Sequence, residues 1–356
     1  MFLGTELNAL INNNLFKETS VYKEFKTLPL GFVDIGARGG THDIIEPIAG
    51  ITSVLGFEAD EEECKRLMSL PEVVNNWSEF KLEPIALYDK EGEVDLHLLS
   101  ASTNHSLLSP NPVFIERYNM VKWHEVGKCT LKATTLDKIL ENNQKTNIAE
   151  FIKIDTQGTE YEIFQGSLNT LTNKTSVIIT EVAFCELYKG QKLFSEVEML
   201  LRSLGFSFYG FMPIRTRAKK LLDKKDHVSM ERAFYTDAVF FKDPLDKKLN
   251  KQLNDRDVKV VFMAALLIGY YDFALELASS TWAKNDSNEQ AIIRKLIDEL
   301  SSIQPVTTIE ALNSLNAQVN KTPEYANVLV GNFVDRRRKF NDYDDILNIS
   351  PLPKTV

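Results

Sequence analysis

The sequence predicts an α/β fold built on a mostly parallel sheet. Three observations lead there. Strand-like apolar runs alternate with helix-like segments over roughly two hundred residues. Two of those runs, GFVDIGARGG at residues 31–40 and AEFIKIDTQGTE at residues 149–160, end on an aspartate closely followed by glycine. Beyond Pro244 the strand signals stop and apolar residues recur only at helical spacing.

Residues 1–29, mixed polar and apolar and ending at Pro29, read as a helical lead-in. Residues 31–35 form a first strand, and Thr41–Ala49 a short helix after the glycine turn. Thr52–Phe57 is a second strand ending on Glu58. Asp60–Leu70 opens with acids that suit a helix N-terminus and stops before Pro71. Phe80–Leu87 reads as a third strand, Val94–Leu99 as an extra edge strand, and Ser100–Pro112 as a long polar loop. Cys129–Thr134 is a short strand leading into the helix TTLDKILENN. Phe151–Ile154 is the fourth core strand, followed by a helix, Thr159–Gln165, with Gly166 as its C-cap. Val177–Val182 is the fifth. Phe194–Leu204 is an amphipathic helix stopped by Gly205, and Phe206–Phe211 and Ala233–Phe241 are two last strands.

Helical faces then follow at Val258, Val261, Phe262, Ala265 and Leu266, and at Ile292, Ile293, Leu296, Ile297 and Leu300. The expected division is a lead-in at 1–29, a ligand-binding α/β domain at 30–243 and a helical C-terminal region at 244–356. That last region is a candidate surface for a protein partner. The tail from Arg336 reads as loosely ordered, and its run Arg336–Lys339 as a solvated basic cluster.

Composition narrows the function. A net charge of −9 argues against nucleic acid as the main partner, because phosphate backbones need a cationic surface. Cys64, Cys129 and Cys185 show no metal-ligand spacing, and an odd count offers no disulfide framework, so a cytoplasmic location is expected. The start, MFLGTELNAL, lacks the cationic and long apolar parts of a signal peptide. The longest apolar run, Val260–Tyr271, is too short to span a bilayer.

The two strand-end motifs suggest a ligand. Counted from Gly36, the dinucleotide fingerprint G-x-G-x-x-G meets Arg38 and Thr41, so it fails at two of three positions and an NAD-binding nucleotide-sugar dehydrogenase is a poor fit. What remains is Asp34 ahead of Gly36, Gly39 and Gly40. Glycine lets a backbone approach a ligand closely. An acid there repels pyrophosphate and suits a cation. Glu58 ends the second strand, where an acid binds ribose hydroxyls in doubly wound folds, or else it belongs to the cap of the next helix. A nucleoside with a positively charged, non-phosphate extension satisfies both acids, and S-adenosyl-L-methionine is such a molecule.

GFVDIGARGG, VLGFEAD, the IAL at Ile85–Leu87, TLDKIL, FIKIDTQGTEYEIFQG and EVAFCELYKGQKLF together resemble the FkbM family of S-adenosylmethionine-dependent methyltransferases, over residues 30–242. The IKID-x-QG-x-E block is the most specific part. The resemblance implies a class I methyltransferase fold, Rossmann-like, with seven strands and one antiparallel near the edge. It also implies O-methylation of a hydroxyl on a sugar, glycan or related metabolite. Arg38 departs from the asparagine common in the family; it meets the cofactor carboxylate or merely replaces a turn residue. The expected cofactor contacts are Asp34, Gly36, Ala37, Arg38, Gly40, Glu58, Ala86 and Asp155.

For the reaction, Asp155 at the end of the fourth strand is expected to face the methyl group and the acceptor, or to cap the following helix, or both. Glu181, a carboxylate in an apolar strand, needs a partner or a task, and Lys153 is one candidate partner. Glu160 reads as a first-turn acid favoured by the helix dipole. His105, in the long polar loop, is the histidine placed best for a base. Asp155, Glu160 and Glu181 could converge as oxygen ligands, but with no His/Cys cluster beside them no metal is assigned. Tyr188 and Lys189 either shape the acceptor pocket or form a surface loop. A competing reading is a nucleoside-binding scaffold without turnover in a glycan-assembly complex.

Overall fold

The computed structural model describes residues 6–141, 147–223, 227, 229–246, 253–302 and 305–337. In chain order its strands are β1 (Leu30–Ile35), β2 (Thr52–Phe57), β3 (Glu79–Glu83), β4 (Ala86–Leu87), β5 (Gly92–Leu99), β6 (Glu125–Thr134), β7 (Phe151–Ile154), β8 (Val177–Ala183), β9 (Ser207–Phe211), β10 (Arg215–Arg217) and β11 (Arg232–Phe241). The main sheet runs β10-β11-β8-β7-β1-β2-β3, with β9 also paired to β11. The five neighbours from β8 to β3 are parallel, and β11 runs antiparallel to β8. Strand order reverses between β1 and β7. Their carboxyl ends therefore flank the switch-point crevice at which open α/β sheets bind ligands.

Seven strands were expected and the main sheet holds eight. The reason is the length of β11, whose ten residues give one edge room for two partners. β10 pairs with its first part, residues 232–235, and β9 with its last, residues 238–241. The single strand expected over Phe80–Leu87 is divided at Pro84, which has no N–H to continue a ladder. β3 stays in the main sheet, while β4 joins a separate three-stranded sheet of order β4-β6-β5.

Alternation assigns the sheet faces. Phe32, Phe151, Ile179 and Val239 pack into one core with the lead-in helices and the helix Asp255–Ile268. That helix is buried at every position from Val260 to Leu267, which explains why the longest apolar run of the chain is helical without spanning anything. No described helix is long and apolar enough to cross a membrane. Val33, Ile152, Ile154 and Ile178 form the opposite core, against the helices Leu136–Glu141, Glu160–Gln165 and Phe194–Ser203. Arg256 joins the C-terminal helix to the sheet base: its Nη2 donates to Glu150 Oε2 at 2.9 Å, and the same oxygen accepts the Gly31 N–H at 2.9 Å.

Contacts divide the chain into two compact units, residues 2–219 with 232–300, and residues 220–231 with 301–356. The second contains the helices Pro305–Lys321 and Ala326–Arg337, joined through a turn at Pro323–Tyr325. The tail from residue 338 and the side chains of Arg336 and Arg337, with most of the basic cluster, lie outside the described residues.

Candidate functional site

A cleft of about 240 Å³ opens at the carboxyl ends of β1, β2 and β7. Gly36 is the pivot. Its φ of +86° is in the left-handed region, and a Cβ there would sit 1.9 Å from the Asp155 carbonyl oxygen. The Asp155 N–H in turn donates to the Ile35 carbonyl at 3.0 Å, and the Gly36 N–H to Phe57 O at 2.9 Å. Only a residue without a side chain lets the two strand-end turns meet this closely.

Of the expected cofactor contacts, Gly36, Arg38, Glu58, Ala86 and Asp155 line the cleft; Asp34, Ala37 and Gly40 do not. Asp34 is buried beneath the turn, where Oδ2 accepts the His42 N–H at 2.7 Å. Burial raises its carboxyl to about 6, with Lys153 and the His42 N–H opposing. Ala37 is buried, and Gly40, at φ +118°, completes the turn. Glu58 is 7 % exposed, and burial pushes its pKa up, partly offset by the Asp60 N–H that it accepts and by Arg38. The helix cap itself is Asp60, which accepts from the Glu62 and Glu63 N–H groups. Arg38 reaches Asp60 Oδ2 at 3.3 Å and Glu58 Oε1 at 3.8 Å. Phe57, Ile85, Leu87 and Leu96, which sequence reasoning did not assign to the ligand, add an apolar wall.

His105 also lines the cleft, but its Nδ1 accepts the Leu99 N–H at 3.0 Å. The neutral ring then carries its proton on Nε2 and can present only a donor to the cleft. Burial and, next, Arg38 lower its pKa, which favours that neutral form.

The charged centre arises from strand alternation. On the face that carries Phe32, Phe151, Ile179 and Val239, the next side chains toward the cleft are Asp34, Lys153, Glu181 and Asp237. An apolar layer is thus capped by a layer of three acids and one amine across four adjacent strands. Lys153, 3 % exposed, lies 3.7 Å from Asp155 Oδ2 and 3.8 Å from Asp237 Oδ1. Burial alone would lower its pKa, but Asp155, Asp237, Asp34 and Glu181 outweigh it and the ammonium is held above its ordinary value. Glu181 stands directly opposite Asp237 in the ladder and forms no ion pair with Lys153. Burial first, then Asp155 and Glu160, push its carboxyl well above the usual range.

Asp155 does not cap the next helix. Its Oδ1 accepts from Gln157 Nε2 at 2.7 Å, and its carboxylate borders the cleft. Glu160, expected as a solvated acid, is instead 4 % exposed and accepts from the N–H groups of Thr156 and Gly158 at 2.8 and 3.1 Å. Burial raises it to about 7 despite these hydrogen bonds. One oxygen from each of Asp155, Glu160 and Glu181 lies within 4.8 Å of the others. Tyr188 is fully buried, not a surface-loop residue. Its hydroxyl donates within reach of Asn104 O at 2.9 Å and Gln157 Oε1 at 3.1 Å, while Ser106 Oγ donates to Gln157 O at 2.7 Å. Gln157, at φ +59°, thus ties Asp155 to the 102–107 loop. Nothing but its place between Asp155 and Gly158 marked it in the sequence.

The family profile for the methyltransferase FkbM domain matches residues 34–208. Among solved structures, the methyltransferase FkbM from Methylobacillus flagellatus KT is similar at 15% identity and TM-score 0.35, covering 67% of this chain and 57% of that one. This chain therefore spans little more than half of that relative. Streptococcus pneumoniae Sp1610, described as a candidate tRNA (m1A22) methyltransferase, is similar at 12% identity and TM-score 0.31, covering 79% of this chain and 97% of that one. No curated protein matches the chain. The matched segment begins at Asp34, contains Gly36, Glu58 and Asp155, and ends in β9. Residues 34–208 thus carry a methyltransferase FkbM domain.

Proposed function

We propose that residues 30–243 form an S-adenosylmethionine-dependent O-methyltransferase that modifies a hydroxyl of a sugar, glycan or related metabolite. The observation that carries the reading is one cleft bordered by Glu58, Asp155 and the bare backbone of Gly36, with an apolar wall between them. The residues fit the donor. Glu58 suits ribose hydroxyls, Phe57, Ile85 and Leu87 suit the face of a purine, and Asp155 suits a cation. His105 adds a neutral N–H donor. Three free cysteines, Cys64, Cys129 and Cys185, favour a reducing, cytoplasmic setting.

When bound, the donor supplies an electrophilic methyl group on a sulfonium. The chain's own part is to align an alcohol and receive its proton. Asp155, oriented by Gln157 and flanked by Lys153, accepts the acceptor hydroxyl's hydrogen bond. One Glu181 oxygen lies within 4.8 Å of an Asp155 oxygen, so a buried carboxyl stands beside the proposed proton acceptor. Lys153 compensates the negative charge of this group, and no metal is assigned to it.

Calorimetry with S-adenosylmethionine and S-adenosylhomocysteine tests the donor site. Glu58→Ala is expected to weaken both by about 10- to 100-fold, the loss of a charge-assisted hydrogen-bond pair. Unchanged affinity would remove Glu58 from the ribose. Binding with no transfer to any hydroxylated acceptor would support a scaffold instead.

Glu160 predicts a pH effect on stability. Its folded pKa, about 7, lies above the ordinary 4.5, so the folded state holds the proton more tightly. The stabilisation linked to that proton is complete below about pH 4.5 and is lost as pH rises through 7. For a shift of this size the change is of order 3 kcal/mol. His42, whose pKa is lowered chiefly by burial, acts in the opposite sense below about pH 6.5. Urea unfolding of the wild type and Glu160→Gln at pH 5 and pH 8 isolates the effect. The variant, even if less stable throughout, is expected to lose less stability between the two pH values; parallel pH profiles would contradict this.

A further inference from the structure

Beyond the carboxylate centre, the chain places arginines that form no ion pair with an acid among the described residues. Tyr235 lies two residues from Asp237 on β11, so the two side chains share a face. Arg215 on β10 is the direct cross-strand partner of Tyr235 and shares that face too. Arg217 stands directly opposite Arg232, a like-charge pair that costs stability when nothing neutralises it. Arg232 covers the Phe114 ring at 5.7 Å, and neither Arg215 nor Arg217 forms an ion pair among the described residues. Among the described residues this edge is basic and unneutralised, in a chain of net charge −9.

Tyr235 connects this edge to the centre. Its half-buried hydroxyl makes no hydrogen bond among the described residues. Burial raises its pKa, Glu181 raises it further, and Arg215 and Arg217 oppose, so the phenol lies between carboxylates and guanidinium groups. A two-residue step along β11 is about 7 Å and one step across the ladder about 5 Å. Arg215 therefore stands on the order of 10 Å from Asp237, whose Oδ1 lies 3.8 Å from the same Lys153 ammonium that is 3.7 Å from Asp155 Oδ2, so the arginine side chains and Asp155 approach the centre from its two ends.

We propose that the acceptor is a phosphorylated sugar, its phosphate ester held by Arg215 and Arg217 while its free hydroxyl reaches Asp155. Two planar guanidinium forks match a phosphate's oxygens, and Tyr235 supplies a donor or acceptor to the ring between them. This deepens the O-methyltransferase reading and rests on it.

The test uses the full chain saturated with S-adenosylhomocysteine and titrated with glucose 1-phosphate, inorganic pyrophosphate, glucose and glucuronate. Glucose 1-phosphate and pyrophosphate are expected to bind, more weakly as salt is added. Glucose and glucuronate are expected to bind at least about tenfold less well. The exposed pair Arg215→Ala/Arg217→Ala is expected to lose about tenfold or more of the phosphate affinity and to keep its S-adenosylhomocysteine affinity. Three results overturn the proposal: no phosphate probe binds the wild type, glucose or glucuronate binds as well as glucose 1-phosphate, or the double variant binds phosphate undiminished. Failure of the wild type to bind S-adenosylhomocysteine defeats the donor reading separately.

Discussion

Asp155→Asn is expected to slow methyl transfer by about 10²- to 10⁴-fold, the range over which a positioned proton acceptor contributes. The variant should keep its fold and its affinity for S-adenosylhomocysteine. Asparagine retains an oxygen for the Gln157 amide, which now meets Asp155 Oδ1 at 2.7 Å, so the tie to the 102–107 loop can persist. Lys153 still has Asp237 at 3.8 Å. What disappears is the negative oxygen at the cleft border that we propose receives the acceptor's proton. Transfer of labelled methyl from S-adenosylmethionine, with thermal unfolding as the fold check, measures both sides. A fully active Asp155→Asn protein would take the residue out of the reaction, while a slow protein that has also unfolded would place it in the scaffold.

Gly36→Ala carries the largest expected effect on stability. The added carbon would stand 1.9 Å from the Asp155 carbonyl, and the φ of +86° adds a left-handed penalty for any L side chain. Neither turn can easily retreat, since Asp155 N–H is bound to Ile35 O and Gly36 N–H to Phe57 O. The left-handed penalty of about 1–2 kcal/mol and overpacking of about 1–3 kcal/mol together take a large share of a typical domain's stability. Gly39→Ala is the control. Its φ of +85° matches, but a Cβ there meets nothing within 4 Å. Urea midpoints should fall far more for Gly36→Ala than for Gly39→Ala. Equal losses would mean that the close approach of the two turns is not what demands glycine at residue 36.

Gly36 and Asp237 differ in how far along the chain their signals reach. Gly36, Glu58 and Asp155 are marked by neighbours in sequence: an apolar run, its end, and the turn after it. Each signal is local, so strand ends, and hence one border of the cleft, could be read directly. Glu160 reads as a first-turn acid for the same local reason. Its burial depends on the Thr156–Gly158 turn folding back over its carboxylate. Tyr188, by its place after the fifth strand, reads either as part of an acceptor pocket or as surface loop; three-dimensional packing buries it beside Trp123. His105 is a candidate by its polar loop and its residue type, and only the Leu99 N–H on its Nδ1 shows which nitrogen is left for the cleft.

The sequence by itself determined the α/β class, the glycine turn and the acids at strand ends, because period, turn chemistry and capping act over a few residues. Tertiary structure alone decided which acids share a site. Asp34, Lys153, Glu181 and Asp237 come from four strands spread over two hundred positions, and they meet because parallel pairing and a final antiparallel strand align one face of each. It also decided that the helix Asp255–Ile268 closes the core beneath them: an all-apolar helix must be covered, and the sheet face was the partner that chain order could not name.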